Sequence, residues 1–222
     1  MMMNLFSVFD PSSSIFSSSW LILLLILLMI NKKLWNISSP IMKLHKKIIL
    51  TLNKEVSFAL GKVEKSVSSM IMAVFTLILM MNFLALYPQI FSPTSHIVIN
   101  MPLSIVMWMS IIIFGWTNYT NHMLSHLVPQ GTPNMLMSFM VVIELTSNLI
   151  RPLTLCVRLT ANLIAGHLLM TLLGNSLSTM SMVYLPVAML APLMLTVLES
   201  AVACIQAYVF MTLITLYVTE LK

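Results

Sequence analysis

Residues 133–173 read PNMLMSFMVVIELTSNLIRPLTLCVRLTANLIAGHLLMTLL, a nearly unbroken apolar stretch. As one continuous helix it would be about 60 Å long, twice the roughly 30 Å hydrocarbon core of a bilayer. A perpendicular crossing does not fit. A second segment of similar length, Thr179 to Tyr217, follows after Gly174, Asn175 and Ser176. Neither segment contains an internal turn cluster. Pro152, Pro186 and Pro192 can bend a membrane helix without ending it, because neighbouring helices satisfy the freed carbonyls. Either each segment divides into two elements, or each is one long tilted helix. The preferred expectation is a hairpin of two strongly tilted, bent helices over 133–173 and 179–219.

The rest of the 222-residue chain fits that setting. Hydrophobic residues make up 59% of it and charged residues 8%, against about 25% charged in an ordinary soluble domain. A water-soluble globule is thereby excluded. The expected fold is an all-α integral membrane protein with about five membrane-embedded helices and one interfacial amphipathic helix, in a single membrane domain over 1–222. Residues 15–31 are expected to form the first span. Their apolar core resembles that of a secretory signal, yet Asp10 stands where a basic n-region would be, and no small-residue cleavage site follows Ile30. Further spans are expected over 66–87 and 103–119, separated by Pro- and Ser-containing loop sequence.

Charge is concentrated rather than spread. Eight of the eleven Lys and Arg residues lie between Lys32 and Lys65, with only Glu55 and Glu64 among them, so this belt carries +6 of a chain whose total is +5. Within 41–65, Ile41, Leu44, Ile48, Leu52, Val56, Ala59 and Val63 recur at helical spacing, with Lys43, Lys47, Lys54 and Lys65 on the opposite side. That pattern suits a helix lying in a membrane interface; an exposed helix bound to a partner subunit is the alternative. Basicity confined to a juxtamembrane belt argues against nucleic-acid binding. The positive-inside rule sets the N-terminus outside and the belt inside. Cys156 and Cys204 lie in apolar runs without CxxC spacing, so packing is their expected task, and no metal or cofactor is expected.

Between residues 66 and 219 the only charges are Glu144, Arg151, Arg158 and Glu199. Glu144, Arg151 and Arg158 are seven apart, so they drift by only about 20° per step on a helix. Asn148 and Asn162 fall on the same stripe. Such a stripe is costly against lipid and calls for water or a polar partner. On the last segment Glu199 and Gln206 are again seven apart, among the small residues Ser200, Ala203 and Ala207, which permit close helix approach. One reading is a Glu–Arg pair that only joins the two helices. Against it, buried ion pairs seldom stabilise more than apolar packing does. Arg158 cannot relay protons because arginine stays charged, but it can hold a carboxylate ionised. Glu199, Glu144 and His167 can each gain and lose a proton. Together they suit a proton path interrupted by a fixed positive charge, serving a mobile carboxylate on another subunit.

The segments RLTANLIAGHLL (158–169) and LESAVACIQAYVF (198–210) resemble the signature segments of the subunit a family of F-type ATP synthases, in its mitochondrial form. The resemblance covers nearly the whole chain and is most specific over 143–210. It implies that Arg158 faces a rotating c-ring as the stator charge. His167 and Glu199 would line the half-channel open to the intermembrane space, with Asn162 and Gln206 as polar neighbours of the arginine. Glu144 would belong near the matrix-side exit. It further implies a multi-pass protein of the mitochondrial inner membrane, with the N-terminus toward the intermembrane space and the lysine belt and C-terminus toward the matrix. Its partners would be c-ring subunits, other stator and membrane-sector subunits, and lipid. Arg151 departs from the family pattern, and a salt bridge to Glu144 is its expected role.

Two other functions are alternatives for such a chain. A proton-translocating membrane subunit of a respiratory complex or antiporter usually carries Lys within its spans, and none occurs between Lys65 and Lys222. A purely structural anchor would tolerate a neutral residue at 158. His122 and His126, four apart at a loop edge, are read as solvated, His96 has no assigned role, and the 22 methionines supply soft packing.

Overall fold

A computed structural model describes residues 6, 9–11, 18–22, 40–61, 65–87, 90–126, 136–178, 180 and 184–220. Most of the expected first span, 15–31, lies outside the described residues. Among the described residues from Pro40 onward, seven α-helices occur: α1 Pro40–Leu60, α2 Lys65–Ala85, α3 Ile97–Asn118, α4 Thr120–His126, α5 Met137–Ser178, α6 Leu185–Ala188 and α7 Leu190–Glu220. Short 3-10 turns occur at Ser18–Trp20 and Pro93–Ser95, and no strand occurs among the described residues. Four stretches are long and apolar enough to cross a membrane: Val67–Ala85, Ile97–Asn118, Met137–Ser178 and Pro186–Glu220. The chain is an all-α integral membrane protein.

The long segments differ from the expected hairpin in two places. The first helix does not stop at Leu173 but runs through Gly174, Asn175 and Ser176 to Ser178, 42 residues in all. A single exposed glycine costs a helix only about 1 kcal/mol, and the Ser178 hydroxyl donates back to the Asn175 carbonyl at 2.7 Å. Among the described residues of the second segment, the short α6 is interrupted at Met189 and α7 follows. Pro186 and Pro192 each fall in the first turn of a helix, where a missing N–H costs nothing, so they start helices rather than bend one. Pro152 does sit inside α5, where it is buried.

α3 begins at Ile97 rather than 103, with Pro102 inside it. The Asn100 side chain fixes that start by donating to the Thr94 carbonyl at 2.6 Å. Gly61 ends α1 in the left-handed region, φ 61°, with its N–H on the Ser57 carbonyl at 3.1 Å; this is the conformation glycine reaches without steric cost. Ile49, Leu52, Val56 and Leu60 of α1 pack on the core, whereas Ile48 and Ala59 of the apolar face are exposed. Lys43, Lys47 and Lys54 are exposed, as the pattern requires.

α7 is the central element. It packs along α2 and α5 and touches α1, while α3 packs along α5. One apolar core joins Val56 and Leu60 of α1, Ile71, Phe75 and Ile78 of α2, Met107 of α3, Leu155 and Leu159 of α5, and Ala207, Phe210 and Ile214 of α7. Ala203 and Ala207 are fully enclosed, which lets the helix backbones approach closely. The outward faces of α5 and α7 remain open: Val157, Leu169, Val197, Leu198, Ile205 and Tyr208 are all exposed.

Candidate functional site

Helical spacing puts the polar residues of α5 into three groups. Leu155, Cys156, Leu159, Thr160, Leu163 and His167 form its buried face. Arg158 and Asn162 lie on the opposite, exposed face. Glu144, Asn148 and Arg151 are half-buried, toward the first end of the helix. Two seven-residue steps accumulate only about 40° of drift, so the charges still share one face; their exposure differs because α3 and the end of α7 stand beside Glu144, Asn148 and Arg151, whereas Arg158 is exposed.

The first polar cluster forms where α5 meets α7 and α2. His167 and Glu199 are only 5% and 6% exposed. The Glu199 carboxylate occupies the space beside Gly166: a Cβ built there would lie 2.6 Å from Oε1. The glycine of the AGH sequence thus makes room for the acid of the facing helix. Among the described residues, His167 Nε2 and Glu199 Oε1 are buried without a hydrogen-bond partner, as are both amide atoms of Asn82. Gln206, two turns past Glu199, is also buried. Asn82 was missed from the sequence, although it is the only amide side chain within the 66–87 span.

A second polar region lies at the other end of the hairpin. A cavity of about 490 Å³ opens between α3, α5 and the end of α7, and its lining includes Glu144, Asn148, Arg151, Trp108, Tyr217 and Glu220. Arg151 does not pair with Glu144. Its Nη1 donates to Glu220 Oε2 at 2.7 Å, and its guanidinium stands over the Tyr217 ring, 4.9 Å from the centroid. Two side chains seven apart on one helix start about 10 Å apart along its axis, which keeps Glu144 and Arg151 from closing on each other. The chain's last turn supplies the nearer acid. A separate, smaller cavity of about 10 Å³ is lined by Arg151, Leu155, Phe210 and Ile214 among others, at the lower limit for one water.

The two clusters are far apart. His167 is about 35 Å from Glu144 along α5, and Glu199 is about 32 Å from Glu220 along α7. Apolar core fills the interval, and Arg158 stands within it on the outer face. No ion pair among the described residues joins Arg158 to Glu144 or Glu199; the pair present is Arg151 with Glu220. Gln206, expected beside Arg158, is buried while Arg158 is exposed. The alternative in which internal Glu–Arg pairs merely glue the helices is thus unmet at Arg158 and Glu199. This geometry can hold protons at two separate places and present one permanent cation, between them, to whatever covers α5.

Comparison with known proteins gives a consistent answer. A sequence model of the family described as "ATP synthase A chain" matches residues 13–219. The chain is 51% identical over 226 residues to ATP synthase subunit a of Locusta migratoria, covering 99% of each chain. It is 51% identical over 224 residues to the same subunit of Drosophila melanogaster, covering 100% of each. With that of Anopheles quadrimaculatus it shares 49% identity over 226 residues, again covering 100% of each.

Proposed function

Because the chain belongs to the ATP synthase A chain family, we propose that it is the proton-conducting stator subunit of the membrane sector of ATP synthase, with two offset half-channels meeting at Arg158 beside a rotating c-ring. The observation that carries this reading is the isolation of Arg158. It is exposed on α5 and free of any ion pair among the described residues, between two polar clusters separated by apolar core. A charge so placed is costly in lipid, and a carboxylate arriving on a partner helix would relieve that cost.

The steps follow from which groups can change charge. A proton from the outer compartment reaches His167 and Glu199, whose unpartnered Nε2 and Oε1 can each bind it. From Glu199 it passes to a ring carboxylate, which becomes neutral and can move into lipid. After almost a full turn the same carboxylate meets the opposite half-channel and releases its proton toward Glu144 and the cavity that Glu144 lines. Arg158 attracts the ionised carboxylate and cannot itself carry a proton, so the two half-channels do not short-circuit. Asn162, one turn beyond Arg158 on the same exposed face, can hydrogen-bond the arriving acid. No bond chemistry is done by this chain; it decides where the ring's acid is charged. The reading places it in the mitochondrial inner membrane, with the N-terminus toward the intermembrane space and the lysine belt and C-terminus toward the matrix.

Arg158→Gln tests it directly. In vesicles holding the assembled complex, this variant is expected to abolish ATP-driven proton pumping while the ring remains bound. Normal coupled pumping would remove Arg158 as the stator charge.

A further inference from the structure

The first polar cluster has a third wall, supplied by the N-terminal segment. Phe9 sets its ring against the imidazole of His167, the centroids 6.1 Å apart and the planes at 88°. The segment is tied at further points. The Ser19 hydroxyl donates to the Pro11 carbonyl at 2.8 Å, and Trp20 packs on Phe91 and His96, with centroids 5.4 and 5.7 Å away. Phe9 thus lies against α5, while Trp20 lies against the loop before α3.

His167 has two ring nitrogens, and Nε2 is buried without a hydrogen-bond partner among the described residues. A neutral imidazole nitrogen left unpartnered in this way is free to exchange a proton. Rotation of the ring would bring the other nitrogen forward. The edge-to-face contact with Phe9, a favoured geometry between rings, opposes that rotation.

We propose that Phe9 is a positioning residue for proton uptake: its ring, packed against His167, holds the imidazole so that Nε2 alone faces the buried cluster that contains Glu199. This rests on the proton-conduction reading above. The step assigned to His167 is a simple transfer. Nε2 accepts a proton from water, and the same N–H bond breaks as the proton passes, directly or through one water, to the ionised Glu199 carboxylate, leaving the imidazole neutral. Other ionisable groups near this wall are Asp10, adjacent to Phe9, and His96, beneath Trp20; neither is given a part in the step.

The test uses the assembled complex in vesicles, with Phe9→Ala, Phe9→Leu and Phe9→Tyr, and two measurements normalised to the amount of assembled complex. One is the rate at which diethylpyrocarbonate modifies His167, read by mass spectrometry. The other is passive proton flux. Phe9→Ala is expected to raise the modification rate by roughly two- to tenfold, the factor corresponding to opening one aromatic pair, and to lower the flux. Phe9→Tyr keeps the ring and is expected to behave like the parent. Phe9→Leu keeps the bulk without a ring and is expected to behave like Phe9→Ala. Unchanged His167 reactivity in Phe9→Ala, full rescue by Phe9→Leu, or flux lost only in proportion to lost assembly would each overturn the proposal. Modification of His167 does not depend on conduction. If Arg158→Gln still pumped, the functional reading would fall; if it did not pump while the Phe9 variants matched the parent, only the positioning role would fall.

Discussion

Gly166 has no side chain, and Glu199 fills the place where one would be. A methyl group there would sit 2.6 Å from Oε1 and 3.0 Å from the carboxylate carbon, so Gly166→Ala must displace the acid. The displaced atoms are the end of a flexible side chain, so the helices can stay packed while the carboxylate moves. The expected result is a complex that assembles normally and conducts protons more slowly, measured as ATP-driven acidification per assembled complex. Flux equal to the parent would show that the close fit at Gly166 does not set the position of Glu199. Glu199→Gln leaves the space unchanged and removes the exchangeable proton; it is expected to slow uptake without opening a leak, and unchanged flux across a pH series would take Glu199 off the path. The charged members of this site were legible in the sequence because a Glu or Arg in an apolar run is conspicuous and costly. Gly166 was not, since its role is a space that exists only once α7 lies against α5. Asn82 stands out only by its burial, which the fold supplies.

Helices α5 and α7 depend on each other at both ends. Near the first end, the Arg151–Glu220 pair ties residues 69 positions apart in sequence. Sequence spacing favoured Glu144 because it is close along the chain, but one rigid helix holds such residues apart, whereas the hairpin brings the final turn of α7 alongside. Both partners are partly exposed, at 30% and 46%, a setting in which ion pairs contribute about 0–1 kcal/mol. Arg151→Gln is accordingly expected to lower the thermal stability of the purified complex only slightly. A fall of several kcal/mol would mean that this pair behaves as a buried one. Packing at Ala207 is the stricter constraint. It is 0% exposed within the core, so Ala207→Leu is expected to cost about 1–3 kcal/mol and to reduce the yield of assembled subunit. The apolar period foretold the helices seen among the described residues, but their ends were less legible. Gly174 and Ser176 look like a turn and lie inside a helix, whereas Pro192 looks like a bend and marks a start; what separates these cases is position within the first turn, which periodicity does not specify.

Over the whole molecule, buried residues and exposed residues separate the charges in a consistent way. Polar clusters lie at the two ends of the hairpin, core fills the middle, and the open faces of α5 and α7 carry Arg158 and Asn162 among apolar side chains. On the proposed function that open surface lies against the ring, and the two cysteines provide a test. Cys204 is exposed on α7, whereas Cys156 is buried at 0%. A disulfide needs Cα atoms about 4.4–6.8 Å apart, so it reports close approach rather than general proximity. With cysteines introduced along the outer helix of the ring subunit, oxidation of the assembled complex is expected to link Cys204 to the ring at a position level with it in the membrane. Cys156→Ser should leave that product unchanged, and Cys204→Ser should remove it. Rotation would bring each copy of the ring subunit past Cys204 in turn, so the crosslink should also stop ATP-driven pumping, and reduction should restore it. Crosslinking through Cys156 instead, or pumping that continued through the crosslink, would place the ring on a different face of the hairpin.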